Sequence, residues 1–164
     1  MKLAITGTPG VGKTSVGKAL GKELKIKVFN EKEFALEKGI GRWDSEENEL
    51  VVPLEKLEKE INSLLETEQN VIIEGHMLCE ISLDVDFIVL ITLDPELLEE
   101  RLGARQYGAP KIQDNVFCEG IDYCKKHAGR KYPKNKIIEV KSQKSIKETM
   151  SIILKEFKER GILK

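Results

Sequence analysis

The sequence predicts a three-layer α/β fold: a five-stranded parallel sheet with helices on both faces. Three observations predict it. Short apolar runs rich in Val and Ile alternate with stretches of helical apolar spacing, the pattern of repeated strand–helix units. The first of these runs leads into a glycine-bearing turn that opens a helix. The chain has 164 residues, 40% of them hydrophobic and 34% charged, which is the size and composition of one globular domain.

The elements follow in order. Leu3 to Thr6 reads as a first buried strand, and Val16, Leu20 and Leu24 at helical spacing mark a helix from Lys13 to Leu24. Lys27 to Phe29 is a short second strand, after which Asn30 can cap a helix that Gly39 and Gly41 end. The polar, acidic stretch from Gly39 to Val52 reads as a mobile loop or arm. Pro53 then suits the first turn of a helix whose Leu54, Leu57, Ile61, Leu64 and Leu65 form one stripe. Val71 to Ile73 is a third strand, ending in Glu74. Phe87 to Thr92 is a fourth, continuous and β-branched, hence central and covered on both faces. Asp94-Pro95 caps and starts a helix to about Ala104. Arg105 to Lys111, with Gly108 and Pro110, reads as a flap, and one further helix from Ile112 to about Lys126 follows. Lys136 to Val140 is the fifth strand, and Ile146, Met150, Ile153, Leu154 and Phe157 mark the last helix. The organisation is one domain over 1–164 with two excursions, an arm near 30–52 and a lid near 103–112.

Charge and cysteine usage narrow the setting. A formal net charge of -1 gives the whole molecule no long-range attraction for nucleic acid, so direct DNA binding is not expected. The longest apolar stretch, around Phe87 to Leu93, is far too short to span a bilayer, and no membrane role is expected. Cys79, Cys118 and Cys124 are odd in number and form no CxxC pair. They read as free thiols in a reducing compartment, cytoplasmic, or nuclear if the source has a nucleus.

The strongest chemical signal is Gly7-x-x-x-x-Gly12-Lys13-Thr14, a complete P-loop pattern placed after a buried strand and before a helix. With Gly near 7% of residues and Lys and Ser/Thr of similar frequency, chance supplies such a match in well under ~1% of chains this long. Gly10 and Gly12 let the backbone turn its N–H groups inward, and the helix N-terminus adds its positive end. Lys13 can reach the β- and γ-phosphates of ATP, Thr14 can place its hydroxyl on Mg²⁺, and Ser15 can touch the α-phosphate. Glu74, ending an apolar strand, suits a Walker-B acid acting on Mg²⁺ through water. His76, two residues on, can orient a nucleophile or stabilise developing charge. Arg101 and Arg105 share one helix face beside the flap, as a lid closing over ATP requires, and Arg105 is the better placed. Arg42, beside Trp43 in the arm, is the candidate for an acceptor phosphate. His127, near a helix C-terminus, has no chemistry assigned.

Translational-type GTPases are excluded, because Asn135-Lys136-Ile137-Ile138 lacks the acid of their base-reading motif. An excursion after the second strand and a lid after the fourth point to two nucleotides bound face to face, as in a nucleoside monophosphate kinase. A shikimate-kinase reading expects two acids one residue apart after the second strand, which Glu31 and Glu33 loosely imitate.

The P-loop, the Glu74-Gly75-His76 turn, and Glu100-Arg101-Leu102-x-x-Arg105-x-Tyr107 followed by Lys111-Ile112-x-Asp114-Asn115-x-x-x-Glu119 resemble the archaeal and nuclear adenylate kinase family, which includes the coilin-interacting nuclear ATPase protein. The resemblance covers essentially the whole chain. It implies ATP at the P-loop, AMP at the arm, ATPase activity, and a part in small-ribosomal-subunit maturation (rRNA processing) through contact with a small-subunit ribosomal protein on the pre-ribosomal particle. It also implies roles for Glu74 as Walker-B acid, His76 as catalytic-loop histidine and Arg105 as lid arginine. One departure stands out. The family often has Ala-Arg in the acceptor-side helix where this chain has Ala35-Leu36, so a contact to AMP phosphate is missing unless Arg42 supplies it.

Three functions therefore compete: an adenylate kinase, an ATP-hydrolysing ribosome-assembly factor with little AMP kinase activity, and a nucleotide-binding regulator without turnover. The combination of Lys13, Glu74 and Arg105 speaks against the last.

Overall fold

The structure, a computed structural model, describes residues 1–163. Its elements are β1 (Lys2–Thr6), α1 (Lys13–Leu24), β2 (Lys27–Asn30), α2 (Glu31–Glu37), β3 (Arg42–Asp44), β4 (Glu49–Val51), α3 (Leu54–Thr67) and β5 (Val71–Glu74) in the first half. The second half adds β6 (Phe87–Thr92), α4 (Pro95–Ala104), α5 (Ala109–Gly120), α6 (Tyr123–Lys131), β7 (Ile137–Lys141) and α7 (Ile146–Glu159).

Five strands form one parallel sheet in the order β2-β5-β1-β6-β7, and β3 pairs with β4 as a separate antiparallel hairpin. The alternation of side chains along a strand divides the core. Leu3, Ile5, Ile72, Val89 and Ile91 face one layer, packed against Val16 and Leu20 of α1, Leu98 and Leu102 of α4, and Ile153 and Phe157 of α7. Ala4, Val71, Ile73, Ile88 and Leu90 face the other, against Phe34 of α2, Leu57 and Ile61 of α3, and Ala128 of α6. Covering both faces is why these strands read as continuous apolar runs rather than alternating ones.

Register positions the site. Ile5 of β1 aligns with Glu74 of β5 on one side and Val89 of β6 on the other, while Asn30 of β2 aligns with Glu74. The turns that leave β1, β2 and β5 therefore emerge together at the carboxyl edge. There β1 has a neighbour on each side, the topological switch point where ligands of open α/β sheets bind.

Two helix starts are capped by side chains, the first of them the one expected from the sequence. The Asn30 side chain accepts hydrogen bonds from the N–H groups of Lys32 and Glu33. Ser145 and Glu148 form a reciprocal capping box on α7.

Three local expectations are corrected. The stretch 39–52, expected as a loop, carries the β3–β4 hairpin, with Trp43 opposite Leu50. Its turn is held by Asp44 Oδ1, which accepts from the N–H groups of Glu46 and Glu47 at 3.0 and 3.2 Å. The flap shrinks to a tight connection at 105–108, because Gly108 caps α5 and Pro110 occupies its first turn. The single helix expected after it is two, broken where Asp122 takes the left-handed conformation at φ 56°.

Phe157 has no exposed surface and closes the α7 side of the core. Phe157→Ala is expected to lower unfolding free energy by about 3–5 kcal/mol, measured by urea denaturation with an unchanged slope.

Candidate active site

The loop between β1 and α1 turns through Gly10 and Gly12, at φ 98° and 106°, a region that side-chain-bearing residues rarely enter. Consecutive N–H groups in such a turn form an anion-binding concavity. Among the described residues no side chain caps it. α1 has no side-chain cap and no acid in its first turn, so its leading N–H donors stay available to an anion.

Lys13, the first residue of α1, is buried, and its Nζ donates to the Thr8 carbonyl at 3.1 Å. Burial pulls its ammonium below lysine's ordinary pKa, while the Glu31 and Glu74 carboxylates pull the other way. A phosphate placed here would add to that counter-charge. The loop is anchored from behind by Glu119 of α5. One carboxylate oxygen accepts from Thr8 Oγ1 at 2.5 Å, and the other accepts from the Leu93 N–H at 2.7 Å.

Glu74 is 2% exposed, and its Oε1 accepts from Thr14 Oγ1 at 2.9 Å and from Asn30 Nδ2 at 2.5 Å. The residues expected to share Mg²⁺ are thus in direct contact. No group of three or more His, Cys, Asp or Glu able to hold a metal occurs among the described residues. Two oxygen-bearing side chains suit Mg²⁺, which keeps waters and takes its remaining ligands from phosphates.

His76 stands over a second buried acid. Glu31, at the start of α2 and 2% exposed, accepts from the His76 N–H at 2.8 Å and the Met77 N–H at 3.0 Å. His76 Nδ1 lies 3.0 Å from Glu31 Oε1, while half of the His76 side chain remains exposed. Burial works against a charged imidazole, but the hydrogen bond and charge of Glu31 outweigh it and raise the pKa of His76 above its ordinary value. Gly75 makes this contact possible, since a Cβ there would sit 2.0 Å from the Glu31 carboxyl. Glu33, the other acid of the shikimate-like pattern, is exposed.

Two cavities flank the loop. A cleft of about 930 Å³ lies between the hairpin, the His76 turn, and the α4–α5 connection; its wall includes Thr8, Pro9, Lys32, His76, Arg105 and Lys111. A smaller one of about 320 Å³ is lined by Gly12, Ser15, Arg101, Arg105 and the 142–146 segment. Arg105 borders both. Arg101 is fixed instead, donating to the carbonyls of Val11 and Gln143 and to Ser142 Oγ at 3.2–3.4 Å. Arg42, exposed on β3, lies outside the cleft wall; the arm's cation in that wall is Lys32, whose Nζ sits 5.2 Å over the Trp43 ring. His127 stacks on Tyr123 at 4.2 Å. All three cysteines are free, with Cys79 and Cys124 buried.

Of the residues that the sequence singled out, Gly10, Gly12, Lys13, Thr14, Ser15, Glu74, His76 and Arg105 are gathered by the fold along one edge. Sequence reasoning missed Glu31 as the partner of His76, Asn30 as a donor to Glu74, and Lys32. An Asn-Glu pair after a short strand signals a helix cap, and nothing local announces its second role.

A phosphate-binding nest, a buried lysine and a Walker-type acid at the switch point of a parallel sheet define a P-loop kinase fold. The comparisons agree. The AAA domain family matches residues 3–122. A Methanocaldococcus jannaschii protein named "Putative adenylate kinase" is 38% identical over 76% of this chain and 70% of its own length. One of the same name from Thermococcus kodakarensis is 38% identical over 74% of this chain and 66% of its own. The matched region thus spans about two thirds of these relatives. Among solved structures, a shikimate kinase from Bacteroides thetaiotaomicron superposes with a TM-score of 0.68 at 18% identity, covering 96% of this chain and 98% of that one. A deoxyadenosine kinase from M. mycoides gives 0.63 at 14%, covering 97% and 100%. These two likenesses concern the fold alone. The chain belongs to the P-loop nucleotide kinase family in which these archaeal adenylate-kinase-named proteins fall.

Asn30→Asp separates the two duties of that residue. Asp caps a helix as well as Asn does, but it removes the donor to Glu74 and sets a carboxylate against it. A loss of about 1–3 kcal/mol is expected at neutral pH, shrinking as acid protonates either carboxylate, read by denaturation at several pH values.

Proposed function

We propose that the protein is an adenylate kinase, moving the γ-phosphoryl group of ATP to AMP to form two ADP. The observation that carries this reading is the pair of cavities on either side of the P-loop with Arg105 in the wall of both. A hydrolase needs one nucleotide site beside its phosphate loop; a phosphoryl donor and acceptor need two that meet at the transferring group.

In this reading the smaller cavity takes the donor's nucleoside, and its triphosphate runs along the first turn of α1 under Lys13. Thr14 and Glu74 would hold Mg²⁺, which neutralises phosphate charge when bound. The larger cleft takes AMP. Lys32 meets the acceptor phosphate there, because Lys111 is already engaged by the Glu47 carbonyl and by Glu49 at 3.8 Å. Arg105 is left for the transferring group. The cations of this chain spread positive charge around oxygens that are negative throughout, and closure of hairpin and lid keeps water from competing.

A second reading is an ATP-hydrolysing factor in small-ribosomal-subunit maturation that binds a ribosomal protein and has little AMP kinase activity. The observation in its favour is Leu36, 53% exposed on α2 where the resemblance calls for arginine. The three free thiols suit a cytoplasmic setting for either reading.

ADP formation from Mg-ATP with and without AMP separates them. Acceleration by AMP of about tenfold or more supports the kinase, and none contradicts it. Lys13→Ala should cost about 10²–10³ in kcat. Lys32→Ala should raise KM for AMP about tenfold, with ATP hydrolysis in the absence of AMP nearly unchanged, as expected for one lost charged contact to the acceptor.

A further inference from the structure

The run Lys111-Ile112-x-Asp114-Asn115-x-x-x-Glu119 has no task yet beyond Lys111, and in the structure it lies within one helix, α5. No residue of α5 is buried. Ile112 and Val116 pack only partly against the apolar layer beneath α1, α4 and α7. With so little apolar surface removed from water, the polar contacts of α5 carry much of its placement. At its start Lys111 donates to the Glu47 carbonyl and pairs with Glu49 of the hairpin at 3.8 Å. Asn115 braces that turn, its Nδ2 donating to the Lys111 carbonyl at 2.9 Å. Two helical turns further on, about 12 Å along the axis, Glu119 reaches the phosphate loop.

Its two oxygens hold two different bodies. Oε1 accepts from the N–H of Leu93, the first residue past β6, at 2.7 Å, which fixes α5 to the sheet edge. Oε2 accepts from Thr8 Oγ1 at 2.5 Å. Both are short bonds to a charged acceptor, the stronger kind. Thr8 is 1% exposed, and its carbonyl accepts in turn from Lys13 Nζ at 3.1 Å and from the Val11 N–H at 3.3 Å. One line of hydrogen bonds thus runs from α5 through Thr8 to the buried ammonium. Thr8 stands at one of the four positions that the phosphate-loop pattern leaves free, so gripping phosphate does not itself call for a hydroxyl there. Bracing α5 does not call for it either, since the Leu93 N–H already serves. The hydroxyl accounts for one thing only, the link.

We propose that Glu119 is a positioning residue for the phosphate loop: through the Thr8 hydroxyl it fixes where Lys13 presents its ammonium, and it ties that setting to α5. Glu119 lines neither cavity, so it acts on a bound triphosphate only through Thr8. For its effect on turnover the inference rests on the kinase reading above; the link between α5 and the loop does not. Arg105 stands four residues before α5, on the connection that this helix carries. A single carboxylate thereby sets Lys13 and Arg105 relative to each other. Transfer needs both cations in register with the γ-phosphoryl group, and a displacement of about 1 Å can cost about 10²-fold in rate.

Two measurements test it. Thr8→Val removes the hydroxyl, keeps the side-chain shape and leaves Glu119 its Leu93 N–H, while Thr8→Ser restores the hydroxyl. In AMP-dependent ADP formation Thr8→Val should lower kcat about tenfold with KM for ATP within about twofold, and Thr8→Ser should recover most of the loss. Glu119→Ala should lower kcat at least as far. Adding Thr8→Val to it should cost nothing more, because both changes break one link. Should Glu119→Ala fail to fold, the Thr8 pair decides alone. The second readout needs no turnover. In the wild type, Mg²⁺ with inorganic triphosphate should shift the amide resonances of Lys13 and Glu119 together. Thr8→Val should keep the Lys13 shift and lose the Glu119 one, and Thr8→Ser should keep both. A contact that merely steadied the fold would lower the thermal stability of Thr8→Val and leave both readouts as in the wild type. Wild-type kcat in Thr8→Val, losses that multiply in the double variant, or a Glu119 shift that survives Thr8→Val overturns the inference. If AMP fails to accelerate ADP formation while Thr8→Val still uncouples the Glu119 amide, the kinase reading falls and the link stands.

Discussion

Lys13 brings an ammonium group into the interior at the point where three strand ends meet, and the groups around it are arranged to make that tolerable. Removing a charge from water costs several kcal/mol even after relaxation. Two carboxylates share the burial, Glu31 and Glu74, each with about 2% of its surface exposed. Each is in turn supplied with donors: Thr14 and Asn30 for Glu74, and the His76 turn for Glu31. Among the described residues no buried side-chain nitrogen or oxygen lacks a partner. A compensated cluster of this kind is rigid, because displacing one member strands the charge of another. Rigidity is what a phosphoryl-transfer site needs from its floor, since positioning and electrostatics do most of the chemistry.

Parallel pairing places that floor. With β5 and β6 flanking β1, the phosphate loop emerges between the Glu74 turn and the start of α4, while β2 pairs outside β5 and carries Asn30 and Glu31 alongside. Two thinner elements stand above it. The hairpin β3–β4 and the α4–α5 connection face each other across the larger cleft, and Lys111 of α5 reaches the Glu47 carbonyl and Glu49 of the hairpin. The site is thus divided between buried charge below and cations on thin elements above.

What the residues foretold divides along the same line. The phosphate loop, α1, the Asn30 cap and the Asp94-Pro95 helix start are local patterns, each carried by a few consecutive residues, and the structure has all four at the expected positions. The five parallel strands followed from apolar runs that make sense only when both faces are covered. The hairpin escaped because its strands are three residues each, too short to establish alternation amid the acids of 44–49. The break before α6 escaped because Asp122, not a glycine, takes the left-handed turn. Glu31 escaped for a different reason: its partner lies 45 residues away, and an acid after an Asn cap is what any solvated helix start would show. Arg42 drew attention as the arm's arginine, yet hairpin geometry leaves it outside the cleft wall, and Lys32, which the sequence reading did not single out, lines it.

The most direct measurement is an amide NMR titration of the protein with Mg²⁺ and a non-hydrolysable ATP analogue. The N–H resonances of Gly10, Gly12, Lys13 and Thr14 should move furthest and saturate together, as donors closing on a triphosphate do. Saturable binding that left these four unmoved while shifting amides on another face of the molecule would contradict the phosphate nest on which the assignment of function depends.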